Sequence, residues 1–363
     1  MDLTVPLTGS YRAEDCRFLL KPLAADYTDI PAKERLIQTG VRHYSEMISR
    51  ESPPDPQYQT LFAELTARYK TRLAQEILDL AGYLASTRPA PLTVVSLARA
   101  GTPIGALLQR ALTGLGVASQ HYSISIIRDR GIDRNALRYL LGVQQRPAAG
   151  LVFVDGWTAK GVITAELKQA IADWNRTESV MLNDELLVVS DIGGTADVAA
   201  TTDDYVIPSG IMNATVSGLV SRSILNEAIG PDDFHGCVVY DHLRDYDCSQ
   251  WFLDQISTRF TGLQPRQLTG QDRTARQRAT RDCLRRIQHD YQVSDINRIK
   301  PGIAEATRVM LRRVPDRLLL RDPAGPDVEH LCWLAAAKQV TIVTDTTMPF
   351  NALALIRDVQ QTG

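Results

Sequence analysis

Residues 150–167 read GLVFVDGWTAKGVITAEL, in the order strand, turn, helix. Leu151, Val152, Phe153 and Val154 form a short apolar run bounded by Gly150 and Gly156, which suits a strand buried on both faces of a parallel sheet. Asp155 is then expected at the carboxyl end of that strand, where open α/β sheets place their ligands. Thr158-Ala159-Lys160-Gly161 is a turn of small residues and a lysine, and Val162, Ala165, Glu166 and Lys168 carry a helical pattern onward. Backbone N–H groups and the dipole at such a helix start favour an anion, and Lys160 adds positive charge there. Read alone, the stretch is either this phosphate cradle or an ordinary βα connection with a surface acid.

Outward from it, the same order of elements repeats. Val95-Ser96-Leu97-Ala98-Arg99-Ala100-Gly101-Thr102-Pro103-Ile104 is again a strand, a tight loop and a helix start. Pro103 suits the first helical turn, Gly101 permits close backbone approach, and Arg99 offers bidentate contact to phosphate-type oxygens. Residues 92–97, 122–127, 151–154, 186–190 and 237–240 read as strands, with 205–207 short and extended. Residues 104–115, 135–143, 211–225 and 249–260 read as helices. Such alternation implies right-handed crossovers, a mainly parallel sheet and an α/β fold class, with both loops opening on one sheet edge. Before the sheet, Leu61, Leu65, Tyr69, Leu73, Ile77, Leu80 and Leu84 predict one long amphipathic helix ending near Thr87-Arg88-Pro89.

A chain of 363 residues suggests about two domains. Residues 262–281 turn to Gln, Thr, Arg and Gly, which divides the chain into a body at 1–261, a basic linker at 262–282 and a small α/β domain at 283–363. In that domain 302–313, 328–338 and 351–359 read as helices, and 317–320 and 340–343 as strands. Residues 1–261 carry a net charge of −7 and residues 262–363 one of +5, so a polyanionic partner is expected for the C-terminal portion. No apolar run approaches the roughly 20 residues of a membrane span, and the N-terminus lacks the features of a signal peptide. A cytoplasmic protein with no membrane partner is expected. Cys16, Cys237, Cys248, Cys283 and Cys332 are scattered without a CxxC pair, implying neither a disulfide framework nor a zinc site.

The two loops together resemble the pyrophosphate loop and the phosphoribosyl-diphosphate (PRPP) loop of type I phosphoribosyltransferases. SLARAGTPIG (96–105) is similar to the former, and VFVDGWTAKG (152–161) stands in place of the latter's acidic–acidic–Thr-Gly signature. GSYRAEDCRFLLKP (9–22), HYSISIIRDRGID (121–133) and IPSGIMNATVSGLVSR (207–222), with VFVDGWTAKG, resemble more closely the divergent phosphoribosyltransferase-like proteins of bacterial tellurite-resistance stress operons, a family also labelled StiP, a cysteine protease. The resemblance covers roughly residues 9–261 and implies a type I phosphoribosyltransferase-like domain. It also implies transfer of a phosphoribosyl group from PRPP, with magnesium, to a base-like acceptor. Arg99, Ala100 and Gly101 would hold the diphosphate. Asp155 would take the ribose hydroxyls, directly or through magnesium, and Thr158, Ala159, Lys160 and Gly161 would cradle the 5′-phosphate. Gly156 replaces the second acid, and Lys160 stands where a Thr is usual. Partner proteins of the same operon are implied as well.

Arg128-Asp129-Arg130-Gly131-Ile132-Asp133 reads as a mobile loop closing over the diphosphate, with Arg128 catalytic, or as a solvated connection. Ser209 and Asn213 either face the acceptor or cap and pack. For a protease, Cys237 with His235 is the only local thiol–imidazole pair, and a buried strand cysteine explains it as well. The alternatives to a transferase are therefore a non-catalytic nucleotide sensor and a cysteine protease. Lys300-Pro301-Gly302-Ile303-Ala304-Glu305-Ala306-Thr307-Arg308 resembles the Pelota-like RNA-binding superfamily. That likeness implies an α/β/α domain in which Gly302, Glu305 and Arg308 meet RNA, with phosphate contacts from Lys300, Arg308, Arg312 and Arg313. Ala304 replaces the Asn of that motif.

Overall fold

The computed structural model describes residues 6–270 and 272–359. The body contains β1 (Arg17–Leu19), β2 (Lys21–Pro22), α1 (Ile30–Gln38), α2 (Pro56–Thr87), β3 (Leu92–Ala98), α3 (Thr102–Gly114), β4 (Ser119–Ile127), β5 (Gly131–Ile132), α4 (Arg134–Arg138), β6 (Leu151–Thr158), α5 (Val162–Thr177), β7 (Leu186–Asp191), β8 (Val198–Thr201), β9 (Gly236–Cys237) and α6 (Ser249–Ser257). Then come α7 (Arg273–Asp290), β10 (Ile299–Pro301), α8 (Ile303–Arg312), β11 (Pro315–Leu320), α9 (Glu329–Ala337), β12 (Thr341–Thr344) and β13 (Ala352–Ile356).

The expected α/β sheet is present, with parallel strands in the order β1-β4-β3-β6-β7-β8. Strand β5 folds back antiparallel on β4. The chain leaves β3 for β4 on one side and later crosses to β6 on the other. The ends of β3 and β6 are therefore neighbours at a switch point, where such sheets open a crevice. The apolar runs behave as their composition demands, because β7 is buried at every position and β3 at all but Ala98. Helix α2 begins where Asp55 accepts the Gln57 N–H at 2.8 Å and Pro56 fills the first turn. Its stripe of Leu65, Leu73, Ile77, Leu80 and Leu84 is fully buried.

Several expectations needed correction. Asp155 lies inside β6 rather than at its end, because the strand continues to Thr158 beside β7. Residues 211–225 are not a helix. They form a buried irregular segment with a 3-10 turn at Ala214–Val216 and bridges from Val220 to Val239 and from Ile224 to Gly236. Residues 135–143 make only α4 and a π-type turn, and 237–240 only the two-residue β9 and that bridge. The proposed mobile loop is a tight hairpin, its backbone held by the Glu166 carboxylate, which accepts from Asp129 N–H at 2.7 Å and Gly131 N–H at 2.8 Å. The predicted linker is half helix, since α7 starts at Arg273.

The C-terminal sheet runs β10-β13-β11-β12. Residues 351–359, predicted helical, contain β13 instead, paired antiparallel to both β10 and β11. Helix α8 packs its buried Ile303, Ala306, Val309 and Met310 into the apolar cluster that also holds Val206, Ile207 and Ile211 of the body. Asp204 joins the two parts, its carboxylate accepting from Ile303 N–H at 2.9 Å and Asn351 N–H at 2.8 Å.

Candidate active-site cleft

The loop after β3 is built by close packing. A Cβ on Gly101 would lie 2.6 Å from the Val154 carbonyl oxygen and 3.0 Å from Asp155 Cα, so only glycine lets this loop rest on β6. Helix α3 then starts at Gly101 with no side-chain cap, but the Gly101 and Thr102 N–H groups donate to the Leu97 and Arg99 carbonyls at 3.0 and 3.1 Å, and Pro103 has no N–H. Arg99 is 7% exposed. Its guanidinium is ion-paired with Glu51 and donates to the Val220 carbonyl at 2.8 Å. It thus anchors the loop to the body as well as lining the cleft.

The second loop opens beside the first. Asp155 is 9% exposed and its Oδ1 accepts the Gly156 N–H at 2.7 Å. Burial pushes its carboxyl up to about 7, against the pull of the Arg308 guanidinium. A Cβ on Gly156 would stand 3.3 Å from the Ala100 carbonyl oxygen, so the first loop crowds the place of the missing second acid. Thr158 Oγ1 is 2.9 Å from Thr195 Oγ1, and Ala159 packs among buried apolar residues. Helix α5 starts from Gly161 at φ +74°, again without a side-chain cap. The start of α5 therefore keeps the open N–H groups that anions favour, whereas those at the start of α3 are already largely engaged by its own loop. Lys160 does not add its charge to this cradle in the expected way. Its ammonium donates to the Ile296 and Ile299 carbonyls at 2.9 and 2.8 Å, tying the loop to the C-terminal domain, and burial with the nearby Lys300 pushes it down to about 7.

The C-terminal domain forms the facing wall. Trp157 Nε1 donates to Glu305 at 3.3 Å, Arg308 pairs with Glu305, and the Arg308 guanidinium lies 4.6 Å from the Trp157 ring centre. Burial opposes the charge on Glu305, but Arg308 and Lys300 hold its carboxyl down at about 2. The enclosed space comprises adjoining cavities of about 260 and 460 Å³, both lined by Tyr44, Ala100, Asp155, Lys300, Glu305 and Arg308. Arg312 lines the smaller cavity, and a Cβ on Gly302 would meet Ile192 at 2.6 Å. The face expected to meet RNA thus looks into the cleft and onto the body.

Arg128 also reaches the cleft, bridging Asp129 at 2.9 Å and Asn297 of the C-terminal domain at 3.0 Å. Ser209 is buried with no partner for its hydroxyl among the described residues, and its neighbour Gly210 packs on Trp157 and Ala304. Asn213 lines a neighbouring chamber of about 410 Å³ with Glu51, Tyr58 and Trp333, and among the described residues its Oδ1 is buried without a partner. Lys33, Tyr44, Glu51 and Arg222 escaped the sequence reading. Only Arg222 lay in a quoted motif, and nothing in the spacing of the others ties them to the sheet edge.

Burial raises every thiol. Cys237 is pushed up to about 12, Cys16 lies well above its usual value, and Cys248, Cys283 and Cys332 are also raised. His235 Nδ1 lies 2.7 Å from Ser125 Oγ rather than on Cys237. Among the described residues no group of three or more His, Cys, Asp or Glu side chains could hold a metal ion, and no helix is long and apolar enough to cross a membrane.

Residues 9–257 match the family model described as "Tellurite-like stress resistance cysteine protease StiP", and residues 278–358 match the "PELOTA RNA binding domain". The chain is 42% identical over 364 residues to a protein named "Cysteine protease StiP" from Acinetobacter baylyi, covering 96% of this chain and 94% of that one. Among solved structures it is similar to a hypoxanthine phosphoribosyltransferase from Trypanosoma cruzi complexed with IMP, at 17% identity and a TM-score of 0.28, covering 36% of this chain and 68% of that one. It is similar also to an HGPRT-ase from Leishmania tarentolae in complex with GMP, at 17% identity and a TM-score of 0.23, covering 42% and 80%.

Proposed function

The chain belongs to the StiP family, and from that membership and the cleft together we propose that it is a phosphoribosyltransferase of a stress-resistance pathway. The observation that carries this reading is the uncapped start of α5 beside one buried carboxyl, Asp155, with the loop after β3 packed against that same carboxyl's strand. Ala100 and Gly101 would receive the diphosphate of PRPP, and Thr158 to Gly161 its 5′-phosphate. Asp155 would accept hydrogen bonds from the ribose hydroxyls, and Arg99 and Arg128 would hold the loop edges around the diphosphate. The acceptor's lone pair would attack the anomeric carbon as the bond to diphosphate breaks, and positioning and electrostatics would do most of the work.

A magnesium ion carried by the diphosphate needs only one or two protein carboxylates, and Asp155 fits that need because no cationic side chain hydrogen-bonds to it. When bound, the ion would neutralise the leaving group's charge. Titration calorimetry of the intact protein with PRPP and magnesium tests the reading. Binding that Asp155→Ala abolishes is expected, and an absence of heat with folded protein removes the proposal. Binding without diphosphate release across a panel of acceptors would leave a nucleotide sensor.

The family's description favours thiol proteolysis as a second reading. A thiolate needs a lowered pKa or an adjacent base, whereas the five thiols here are raised by burial. Cleavage of a protein substrate that iodoacetamide blocks would establish this reading in place of the transferase.

RNA is proposed as the partner of the C-terminal domain, following its family match. Lys300, Glu305, Arg308 and Arg312 face the cleft and could meet only an RNA end that entered it, while Gly302 packs on Ile192 of the body. On the outside, Arg278, Arg281 and Arg285 of α7 are exposed at helical spacing and present a row of charge to a phosphate backbone.

A further inference from the structure

Lys33 of α1 is 7% exposed, yet among the described residues no hydrogen bond or ion pair holds its ammonium. Its surroundings repel it. Burial, then Arg222, Arg313 and Arg312, push it down to about 7, and only Glu34 opposes them. Glu34 is already engaged by Arg313 in a two-pronged ion pair. The other acids nearby are engaged as well, Glu51 with Arg99 and Glu305 with Arg308. What remains on this side of the cleft is a set of cations that form no ion pair among the described residues, Lys33, Arg222 and Arg312, with Glu51 and Glu305 acting on Arg312 only at longer range. Arg222 donates to the Met47 carbonyl and, at 3.5 Å, to the Ser223 carbonyl, and stacks 5.3 Å from the Tyr44 ring centre. Among the described residues Arg312 Nε and Ser223 Oγ are buried with no hydrogen-bond partner.

Buried charges are ordinarily paired, because removing them from water is costly. Three cations without an ion-pair partner, with two buried polar atoms beside them that have no hydrogen-bond partner among the described residues, form a built site for an anion. Its position is specific. Lys33, Arg222 and Arg312 line both the 260 Å³ cavity next to Asp155 and the 410 Å³ chamber that holds Asn213, Tyr58 and Trp333. The three residues come from α1, from the irregular segment before β9 and from α8, so the site exists only while the C-terminal domain is docked.

We infer that Lys33, Arg222 and Arg312 form a third phosphate-binding site, separate from the starts of α3 and α5, at the opening between the cleft and the chamber. Two or three cations match a phosphoryl group better than a single carboxylate, and the guanidiniums supply forked donors. The phosphoryl group belongs either to a second substrate lodged in the chamber or to the far end of a diphosphate. This inference goes beyond the transferase reading and does not depend on it, since a phosphate site can be measured without any transfer.

The test is titration of the intact protein with inorganic phosphate and with pyrophosphate, alongside thermal unfolding of the ligand-free protein, for the native chain and for Lys33→Met and Arg312→Met. Weakening of phosphate binding by about tenfold or more together with a higher melting temperature for ligand-free Lys33→Met is expected, because that change removes a buried charge without an ion-pair partner. Lower thermal stability with unchanged phosphate affinity would overturn the site and make Lys33 a packing residue. Repeating the titration with PRPP and magnesium at saturation separates the sources. An additional equivalent of phosphate that Lys33→Met abolishes identifies the second substrate's phosphate, whereas displacement of phosphate by PRPP identifies the diphosphate. If PRPP does not bind and phosphate still binds through Lys33, the transferase reading falls and this site stands.

Discussion

The carboxyl of Asp155 is out of water and bonded only to the Gly156 N–H, so its charged form is disfavoured and it rises to about 7. An unfolded chain would ionise it near 4. Between those values the native state holds a proton that the unfolded state has lost, so stability falls as pH rises through this window and the full cost is present above it. Asp155→Asn should therefore stabilise the ligand-free protein at pH 8 by up to about 4 kcal/mol, with little effect at pH 4. Denaturant titrations at the two pH values check this, and equal effects at both would refute it. A carboxylate held at such cost is what a site for hydroxyls or a substrate-borne cation requires. The sequence placed Asp155, Ala100 and Gly161 at the cleft because strand–loop–helix chemistry is local. Lys33 and Glu51 were illegible, since their roles arise from chain segments meeting across the fold, and the ammonium of Lys160 went to two carbonyls more than 130 residues away.

Among the elements, the strongly patterned ones were legible. Helix α2 and strands β3, β4, β6 and β7 lie where periodicity put them. The failures share a cause, which is burial on all sides. Ala352-Leu353-Ala354-Leu355-Ile356 is composed of good helix formers, yet every position of it is buried between β10 and β11, and tertiary pairing overrides propensity. Residues 211–225 are apolar enough for a helix but carry Gly218, Asn213 and several serines, and their backbone bonds go to neighbouring segments instead. Between elements, Asp204 matters most. It holds the start of α8 and the approach to β13 at once, and its own carbonyl accepts from Asn351 Nδ2. Asp204→Ala leaves two buried N–H groups without an acceptor and should cost about 2–4 kcal/mol. A loss below about 1 kcal/mol in urea unfolding would show that the contact matters little.

On the scale of the whole molecule, two α/β units close on one cleft, and the surface the C-terminal domain turns inward is the one its family resemblance assigns to RNA. RNA held by the outer row of α7 and a ligand held in the cleft should therefore bind independently. Replacing Arg278, Arg281 and Arg285 should weaken RNA binding and lower its salt slope by about one unit per arginine, while saturating pyrophosphate leaves the RNA affinity unchanged. Competition between the two in a mobility-shift assay would place RNA inside the cleft. The order of the small sheet carries a further consequence. Strand β13 is last in the chain yet lies between β10 and β11, so during synthesis β10, α8, β11 and β12 all emerge before the strand that holds them together. For that interval the nascent body presents its phosphate loops without their facing wall, and a chaperone or a ligand that meets it then encounters an open groove.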